Sequence, residues 1–343
     1  MKRVPIWLVR SLYRLHRYLG LLSALIVFLI CLTGSLLVFR DDLDAWLNPY
    51  RIVPVESHLL PISELMERTG SAYPGETPIG LTLYPNRPNH AVAIFLNAPN
   101  YRQIFINPYN GRITGERTAG TLLDTIRRFH TRLLIPTKAG RITVGILGLL
   151  MCISVISGAL IFLPFRKGAQ GFELRPGKSL HISDLHKLTG ILTVAFHLLI
   201  AGTGAVLGLI ALSPPVSAIP KAGQAAKVFA AVNPDEVLKH IPDPDFTPTG
   251  IIFPTAKSFR YVVYGNQQHS LARDSASFYV FPADGAPPIQ SYSPKGETLP
   301  LLEGLHFGQF AGFAGRLIYL LLGLSGCALS VTGPWIAWRK RQT

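Results

Sequence analysis

The stretch "LHKLTGILTVAFHLLIAGTG", residues 185–204, is long and apolar enough to cross a bilayer, yet it contains His186 and His197. An ionisable side chain inside a membrane span is costly, which makes both rings candidates for a functional site. Eleven helical residues at about 100° each return almost to the starting angle, with a rise of about 16 Å. Both rings are therefore expected on one face of a membrane helix, at two depths.

Three further apolar runs resemble this one in length. The four runs are Leu19–Phe39, Ile142–Leu163, Leu188–Leu212 and Leu317–Trp338. Each approaches the ~20 residues that a helix needs to cross the hydrocarbon core. Of the 343 residues 48% are hydrophobic and 15% charged, which is atypical of a soluble domain. The first run lacks a small-residue cleavage site, so we expect it to remain as an anchor. The sequence predicts a polytopic membrane protein.

The basic residues, which give a net charge of +14, fall into three clusters: before the first run, between the second and third, and after the fourth. Alternating spans place all three clusters on one side, as the positive-inside rule requires. This pattern predicts that both termini are cytoplasmic. It also explains the charge by membrane topology and contact with lipid, without a nucleic-acid partner.

Two long segments between the spans carry strand and turn patterns. The first contains "HAVAIFL" (90–96) and "YRQIFINPYNGRITGER" (101–117), and the second contains "FRYVVYG" (259–265) and "SASFYVFPADG" (275–285). Alternating apolar residues bounded by Gly, Pro and Asn predict strands joined by turns. The expected fold is mainly α: a four-helix membrane bundle with two small α+β domains outside the membrane.

The spans also repeat. "LHRYLGLLSALIVFLICLTG" (15–34) aligns without a gap with residues 185–204, and the segments that begin at Phe129 and Leu305 each place a histidine before Gly-Arg and an apolar run. We predict a tandem duplication of a helix–domain–helix unit. It makes His16 equivalent to His186 and His130 equivalent to His306, whereas His197 has Val27 at its matching position.

These five histidines predict haem binding, because haem iron accepts axial imidazoles and bundle cores build sites from facing helices. His16 and His186 both begin outward-going helices and are expected to share one haem near the cytoplasmic face. A second, outer haem has three candidate ligands, His130, His197 and His306, and the sequence does not choose between them. Pro136 and the glycine-rich residues 308–315 are predicted to break the helices after His130 and His306, so that these rings turn back towards the bundle.

Other uses of the same residues stay open. Membrane histidines also form interhelical hydrogen bonds, or they serve proton-coupled transport, although the spans contain no Asp or Glu. Gly34, Gly158, Gly204 and Gly333 are expected either to let helices pack closely or to make room for a flat macrocycle. The side chains of Tyr50, Tyr101, Arg102 and Tyr109 are either ordinary strand and turn residues or part of a substrate surface. The three cysteines, in different spans, predict core residues without disulfides.

Several stretches resemble one family. "LHRYLGLLSALIVFLICLTGSLLVFRDDLDAWLNP" (15–49) resembles the first helix of the PepSY-associated transmembrane family, and "FINPYNGRITGER" (105–117) is similar to the closing strand and turn of the PepSY domain. Residues 172–200 and 305–333 are similar to bacterial iron-regulated inner-membrane proteins of that family. The resemblance covers essentially the whole chain.

The resemblance implies a haem-dependent ferric-siderophore reductase with two haems b in its bundle, placed in the bacterial inner membrane. Its iron ligands would come from the positions of His16, His130, His186, His197 and His306. Its substrate would be a ferric siderophore or other ferric chelate, reduced in the periplasm from Fe(III) to Fe(II) for iron uptake. Because no dinucleotide fingerprint follows a strand, the electron donor would be quinol or a cytoplasmic partner. The alternatives are a non-enzymatic PepSY-type sensor or binding protein and a histidine-based proton-coupled transporter.

The predicted layout follows from these assignments. It comprises a cytoplasmic N-terminus and first span (1–40), a periplasmic PepSY-like domain (41–128), a periplasmic histidine segment and second span (129–165), a cytoplasmic loop (166–184), a third span (185–212), a second periplasmic domain (213–303), and a periplasmic histidine segment with the fourth span and cytoplasmic tail (304–343).

Overall fold

The computed structural model describes residues 5–97, 102–118, 120–162, 182–212, 233–254, 260–267, 277–282, 288, 290–292, 298–308, 310 and 312–339. The chain divides into two compact units. The membrane unit comprises Met1–Phe39, Thr125–Pro215 and Leu305–Thr343, and the sheet unit comprises Arg40–Asp124 and Val216–Gly304. Most of the predicted cytoplasmic loop 166–184 lies outside the described residues.

The helices of the described residues, in chain order, are α1 (Ile6–Leu37), α2 (Arg40–Leu47), α3 (Ile62–Ala72), α4 (Leu122–Arg132), α5 (Lys138–Phe162), α6 (Ile182–Leu192), α7 (Val194–Leu209), α8 (Pro234–Lys239), α9 (Thr298–Phe307) and α10 (Gly312–Arg339). The strands are β1 (Thr77–Thr82), β2 (Val92–Asn97), β3 (Arg102–Ile106), β4 (Ile113–Thr118), β5 (Phe246–Ile252), β6 (Arg260–Gln267), β7 (Ser277–Pro282) and β8 (Gln290–Tyr292).

Four helical segments are long and apolar enough to cross a membrane: α1, α5, α7 with its following turn to Leu212, and α10. They confirm the four predicted spans. Helix α1 begins at Ile6, well before the predicted start of its span at Leu19. Pro5 precedes its first turn, and residues 6–19 contain no Gly or Pro that would end a helix.

The spans pack as a four-helix bundle. Helix α1 lies against α5 and α10, α5 lies against α7, and α10 lies against α6. The α5–α7 contact depends on glycine, because a Cβ atom on Gly208 would lie 2.6 Å from the Cα atom of Gly145. The third span is interrupted between α6 and α7 at Thr193, whose hydroxyl donates to the carbonyl oxygen of Thr189 at 2.7 Å. Such side-chain bonding to the preceding turn often bends a helix.

Both predicted helix breaks are confirmed. Helix α4 ends at Arg132, and Leu133 and Leu134 then adopt positive φ angles of 50° and 63° before Pro136. Helix α9 ends at Phe307, Gly308 has a φ of 64°, and α10 begins at Gly312. His130 and His306 therefore each lie in the last turn of a short helix that directly precedes a membrane span.

The two segments between the spans form one antiparallel sheet of eight strands in the order β4-β3-β2-β1-β5-β6-β7-β8. Strands β2, β3, β4, β6 and β7 confirm the predicted strand–turn patterns. Strands β1, β5 and the short β8 were not predicted; in β1 and β5, Pro and Gly ordinarily disfavour a strand interior. The register shifts between Pro78 and Gly80 in β1 and between Pro248 and Gly250 in β5. Such bulges accommodate the prolines, and β1 then pairs with β5 at the centre of the sheet.

One apolar core spans both halves of this sheet. It includes Ile94 and Ile104 from the first half, Val263 and Phe281 from the second, and Leu65 of α3, all at most 1% exposed. The two segments, which the sequence predicts as two small α+β domains, therefore share one core and form one compact unit.

The helices that cover the sheet are also joined by a cap. Asp235, in α8, accepts hydrogen bonds from the backbone N–H groups of Ile62 and Ser63 at 2.8 and 3.0 Å. Its carboxylate thereby satisfies free donors at the N-terminus of α3, where the helix dipole also favours a negative charge.

Gly80 lies on β1 where it pairs with β5 of the other half. A Cβ atom there would lie 2.7 Å from the carbonyl oxygen of Ile251 on β5. We expect Gly80→Ala to destabilise the sheet unit by about 1–3 kcal/mol, because the central strands must move apart. Thermal unfolding of the full chain in detergent, followed by circular dichroism, measures this. Gly70→Ala in α3, where a Cβ atom meets nothing within 4 Å, is the control and should not lower stability. Equal melting temperatures for Gly80→Ala and wild type would contradict the expectation.

Candidate functional site

Four of the five predicted histidines lie in two pairs inside the membrane unit. The ring centroids of His16, on α1, and His186, on α6, are 6.3 Å apart with an interplanar angle of 68°. Those of His130, on α4, and His306, on α9, are also 6.3 Å apart, with an angle of 45°. The structure thus brings together the residues that the predicted duplication would make equivalent.

The separation suits two imidazoles on opposite sides of one metal ion. A ring nitrogen binds a transition metal at about 2.0–2.1 Å, and a ring centroid lies about 1.1 Å behind its nitrogen, so two axial rings stand about 6.2–6.4 Å apart. In the described part of the chain, no group of three or more His, Cys, Asp or Glu side chains is placed to hold a metal ion. Each pair offers two imidazoles, the donor set that one metal ion between the rings would need.

Hydrogen bonds at Nδ1 define the tautomer of the first pair. His16 Nδ1 lies 2.8 Å from the carbonyl oxygen of Ser154, which only accepts, so Nδ1 carries the proton and donates it. His186 Nδ1 lies 2.8 Å from the hydroxyl oxygen of Thr332, whose own proton goes to the carbonyl of Ala328. Both rings then keep an unprotonated Nε2, which is the form that binds metal.

The second pair is held in the same way. His130 Nδ1 donates to the carbonyl oxygen of Ile30 at 3.1 Å and lies 3.2 Å from the hydroxyl oxygen of Thr33. His306 Nδ1 lies 2.9 Å from the hydroxyl oxygen of Thr203, which donates to Leu199 in its own helix. Nε2 is therefore the unprotonated nitrogen in all four rings, and it would be the atom that binds a metal ion.

The four repeat-related glycines each face one of these rings. The atom nearest to an added Cβ would be His130 Cε1 at Gly34 (2.8 Å), His16 Cε1 at Gly158 (2.9 Å), His306 Cε1 at Gly204 (3.1 Å) and His186 Cε1 at Gly333 (3.4 Å). The sequence left two roles open for these glycines, close helix packing or room for a macrocycle. The structure places the edge of an imidazole ring against each glycine.

His197 has a different setting. It is 3% exposed, and its Nδ1 lies 3.0 Å from the hydroxyl oxygen of Thr193. Its Nε2 lies 3.5 Å from the hydroxyl of Ser325 and would lie 3.2 Å from a Cβ atom on Gly326. The ring therefore faces α10. Of the three candidates for the outer site, the structure pairs His130 with His306, and His197 remains a predicted ligand.

The proposed substrate-surface residues lie in the sheet unit. Tyr109 is buried and donates to the carbonyl of Pro88 at 2.9 Å, and Tyr50 packs against Phe105 at 5.2 Å between centroids. Arg102 pairs with Glu116 at 3.0 Å. The hydrogen bonds that Glu116 accepts, first from Tyr73 and then from Arg102, hold the pKa of its carboxyl below the usual range. These contacts fit strand and turn residues; Tyr101 lies outside the described residues.

Sequence reasoning missed an ionic cluster in the sheet unit, in which the buried Asp44 and Arg51 meet the partly buried Arg117. Asp44 pairs with Arg51, and with Arg117 at 2.7 Å, while Arg51 also donates to the hydroxyl of Tyr84 at 3.0 Å. Burial raises the pKa of Tyr84, which keeps its hydroxyl neutral as an acceptor. Asp44 follows a membrane span within a charged stretch, a context that ordinarily indicates exposed residues, so the sequence carried no signal for its burial.

The family described as "PepSY-associated TM region" matches residues 13–341, nearly the whole chain. No curated protein matches the sequence.

Proposed function

The chain belongs to the PepSY-associated TM region family, and on this premise we propose that it is an inner-membrane electron-transfer protein that binds two haems b and reduces ferric siderophores or other ferric chelates in the periplasm. The observation that carries the proposal is the pair of histidine sites, each with ring centroids 6.3 Å apart. Haem iron, when bound, supplies reversible one-electron Fe(III)/Fe(II) chemistry.

The residues of the bundle have distinct tasks in this proposal. His16 and His186 would hold one haem, and His130 and His306 the other, through Nε2. The acceptors at Nδ1 orient each ring and increase the basicity of its ligating nitrogen. All four residues are partly buried between the helices.

The depths of the two pairs suit passage across a bilayer. His130 contacts α1 at Thr33, seventeen residues beyond His16 on the same helix. At ~1.5 Å per residue these points lie about 26 Å apart along α1, close to the ~30 Å of the hydrocarbon core. The positive-inside pattern assigns the His16 pair to the cytoplasmic face, where quinol or a cytoplasmic partner would donate electrons. His197 lies between the two depths on α7.

The sheet unit would present the ferric chelate on the periplasmic side. Oxygen-rich chelators bind the hard Fe(III) ion more tightly than Fe(II). Transfer of one electron to the chelate therefore weakens its hold on iron and makes the metal available for uptake.

The proposal includes the tandem duplication. Its support extends to the sheet, where "TPIGLT" in β1 and "TPTGII" in β5 have Pro and Gly at matching places. Pro78 and Pro248 are separated in sequence by the same interval as His16 and His186. The strand order is likewise symmetric about the β1–β5 pair.

The proposal predicts a red protein. Full-length protein purified in detergent from haem-replete cells should show a Soret band, and split α and β bands after reduction with dithionite. Addition of a ferric siderophore to the reduced protein under anaerobic conditions should restore the oxidised spectrum, with Fe(II) trapped by a ferrous chelator. A colourless protein would contradict the proposal and favour the sensor or transporter alternatives. A red protein that no ferric chelate reoxidises would contradict the proposed substrate.

A further inference from the structure

Each paired histidine meets a Ser-Gly or Thr-Gly dipeptide on a neighbouring helix. The dipeptides are Ser157–Gly158 at His16, Thr332–Gly333 at His186, Thr33–Gly34 at His130 and Thr203–Gly204 at His306. We propose that these four hydroxyl–glycine clamps are positioning elements, which fix the tautomer and the location of each imidazole so that Nε2 points at its partner ring. The inference rests on the proposed function, because the group held between the rings would be haem.

The hydroxyl half of the clamp acts at Nδ1. Three of the hydroxyls are threonines, at 2.8 to 3.2 Å from the ring nitrogen. Each threonine hydroxyl donates its proton to a carbonyl one turn earlier in its own helix, at 2.6 to 2.8 Å. Its lone pairs then face the ring and select the tautomer with a proton on Nδ1. At His16 the Ser157 hydroxyl is farther, at 3.4 Å, and the carbonyl of Ser154 supplies the acceptor at 2.8 Å.

The glycine half acts at Cε1, the carbon between the two ring nitrogens. A Cβ atom at Gly34 or Gly158 would approach Cε1 to 2.8 or 2.9 Å, and the ring would have to move. The corresponding distance is 3.1 Å at Gly204 and 3.4 Å at Gly333. Because carbon atoms pack comfortably at about 3.5–4.0 Å, the four clamps differ in tightness, and Gly333 alone approaches an ordinary contact.

Close packing of helix backbones would not produce this pattern. At Gly148, which serves the α5–α7 contact, an added Cβ would first meet the backbone of Ala201 and Ala205. At the clamp glycines Gly34, Gly158 and Gly204, the three nearest atoms are all atoms of one histidine ring. The absence of a side chain at these positions is therefore matched to the imidazole.

Alanine substitutions test the glycine half. Gly34→Ala should lower haem content at the His130–His306 site by about half of the total, or convert that haem from low spin to high spin. Gly158→Ala should do the same at the His16–His186 site, whereas Gly333→Ala should stay near wild type. Gly20→Ala on α1 and Gly202→Ala on α7 are matched controls, since a Cβ atom at either meets nothing within 4 Å. Pyridine haemochrome content and electron paramagnetic resonance provide the readouts.

Two results would overturn the inference. One is full low-spin haem in Gly34→Ala and Gly158→Ala, and the other is equal loss in the Gly20→Ala control. Helical circular dichroism of each variant checks that the bundle has folded.

The hydroxyl half is tested at Thr332, whose distance to His186 is among the shortest. Thr332→Val keeps the shape of the side chain and removes the acceptor, so the imidazole becomes a weaker donor to iron. The midpoint potential of one haem should rise, and Thr332→Ser should restore it. An unchanged potential in Thr332→Val, or the same shift in Thr332→Ser, would reject the clamp. These outcomes presuppose a wild-type protein with two haems, and a colourless wild type would instead reject the proposed function.

Discussion

His306→Ala is expected to reduce the haem content from about two per chain to about one. The reason is geometric: the ring centroids of His306 and His130 are 6.3 Å apart, so removal of either would leave a single imidazole to hold the haem at that site. A haem held by His130 alone would be bound more weakly, and the low-spin spectrum that two imidazoles give would be lost. Pyridine haemochrome analysis of the purified full-length chain measures the loss.

Combined substitutions show which histidines share a site. His130→Ala with His306→Ala should lose no more haem than either single variant, because both changes affect one pair. His16→Ala with His306→Ala should lose nearly all of it. His58→Ala, at an exposed loop position, is the control and should retain both haems. Additive losses for His130 and His306 would contradict their pairing.

His197→Ala decides the assignment that the sequence left open. Retention of two low-spin haems would assign the outer site to His130 and His306. Loss of one haem would make His197 a ligand, which requires its Nε2 to leave the neighbourhood of Ser325 and Gly326 on α10.

The sequence predicted the spans and the equivalence of the histidines because both depend on local patterns. Hydrophobic length identifies a membrane helix, and a gapless repeat makes His16 equivalent to His186. The choice at the outer site depends on a non-local quantity, the angle at which α4 and α9 meet the spans. That angle depends on residues in the left-handed region of the Ramachandran plot, such as Leu133 and Leu134. Leucine rarely adopts a positive φ, so the sequence does not predict this turn.

The sheet was predicted only in part for a similar reason. Strands with alternating apolar residues were found, whereas β1 and β5 were not, because their Pro and Gly residues ordinarily exclude a central strand. In the structure these glycines allow the two halves to meet, since a Cβ atom on Gly80 would press against Ile251. This steric requirement comes from the partner strand β5, so the six residues of β1 alone do not reveal it.

Asp44→Asn is expected to destabilise the sheet unit by about 3–5 kcal/mol, because it leaves the buried guanidinium of Arg51 and the partly buried guanidinium of Arg117 without their counter-charge. Arg51 is 2% exposed, and both of its close ring neighbours, Tyr84 and Phe105, stabilise a cation without neutralising it. Both carboxylate oxygens of Asp44 accept from Arg117, at 2.7 and 2.8 Å. An asparagine of the same shape would lose the charge, keep the packing, and offer only one oxygen acceptor.

Urea or thermal unfolding of the full chain in detergent, followed through the sheet signal in circular dichroism, measures this loss. The control is Glu64→Gln, which removes one partner of the exposed Glu64–Arg68 pair at 2.7 Å. Solvent screens that pair, so its removal should cost no more than about 1 kcal/mol. Similar small losses for Asp44→Asn and Glu64→Gln would show that water reaches the Asp44 cluster and that its ions are not buried. A large loss of stability in Asp44→Asn alone would show that the Asp44 cluster is shielded from water and that its charge pairing stabilises the sheet unit.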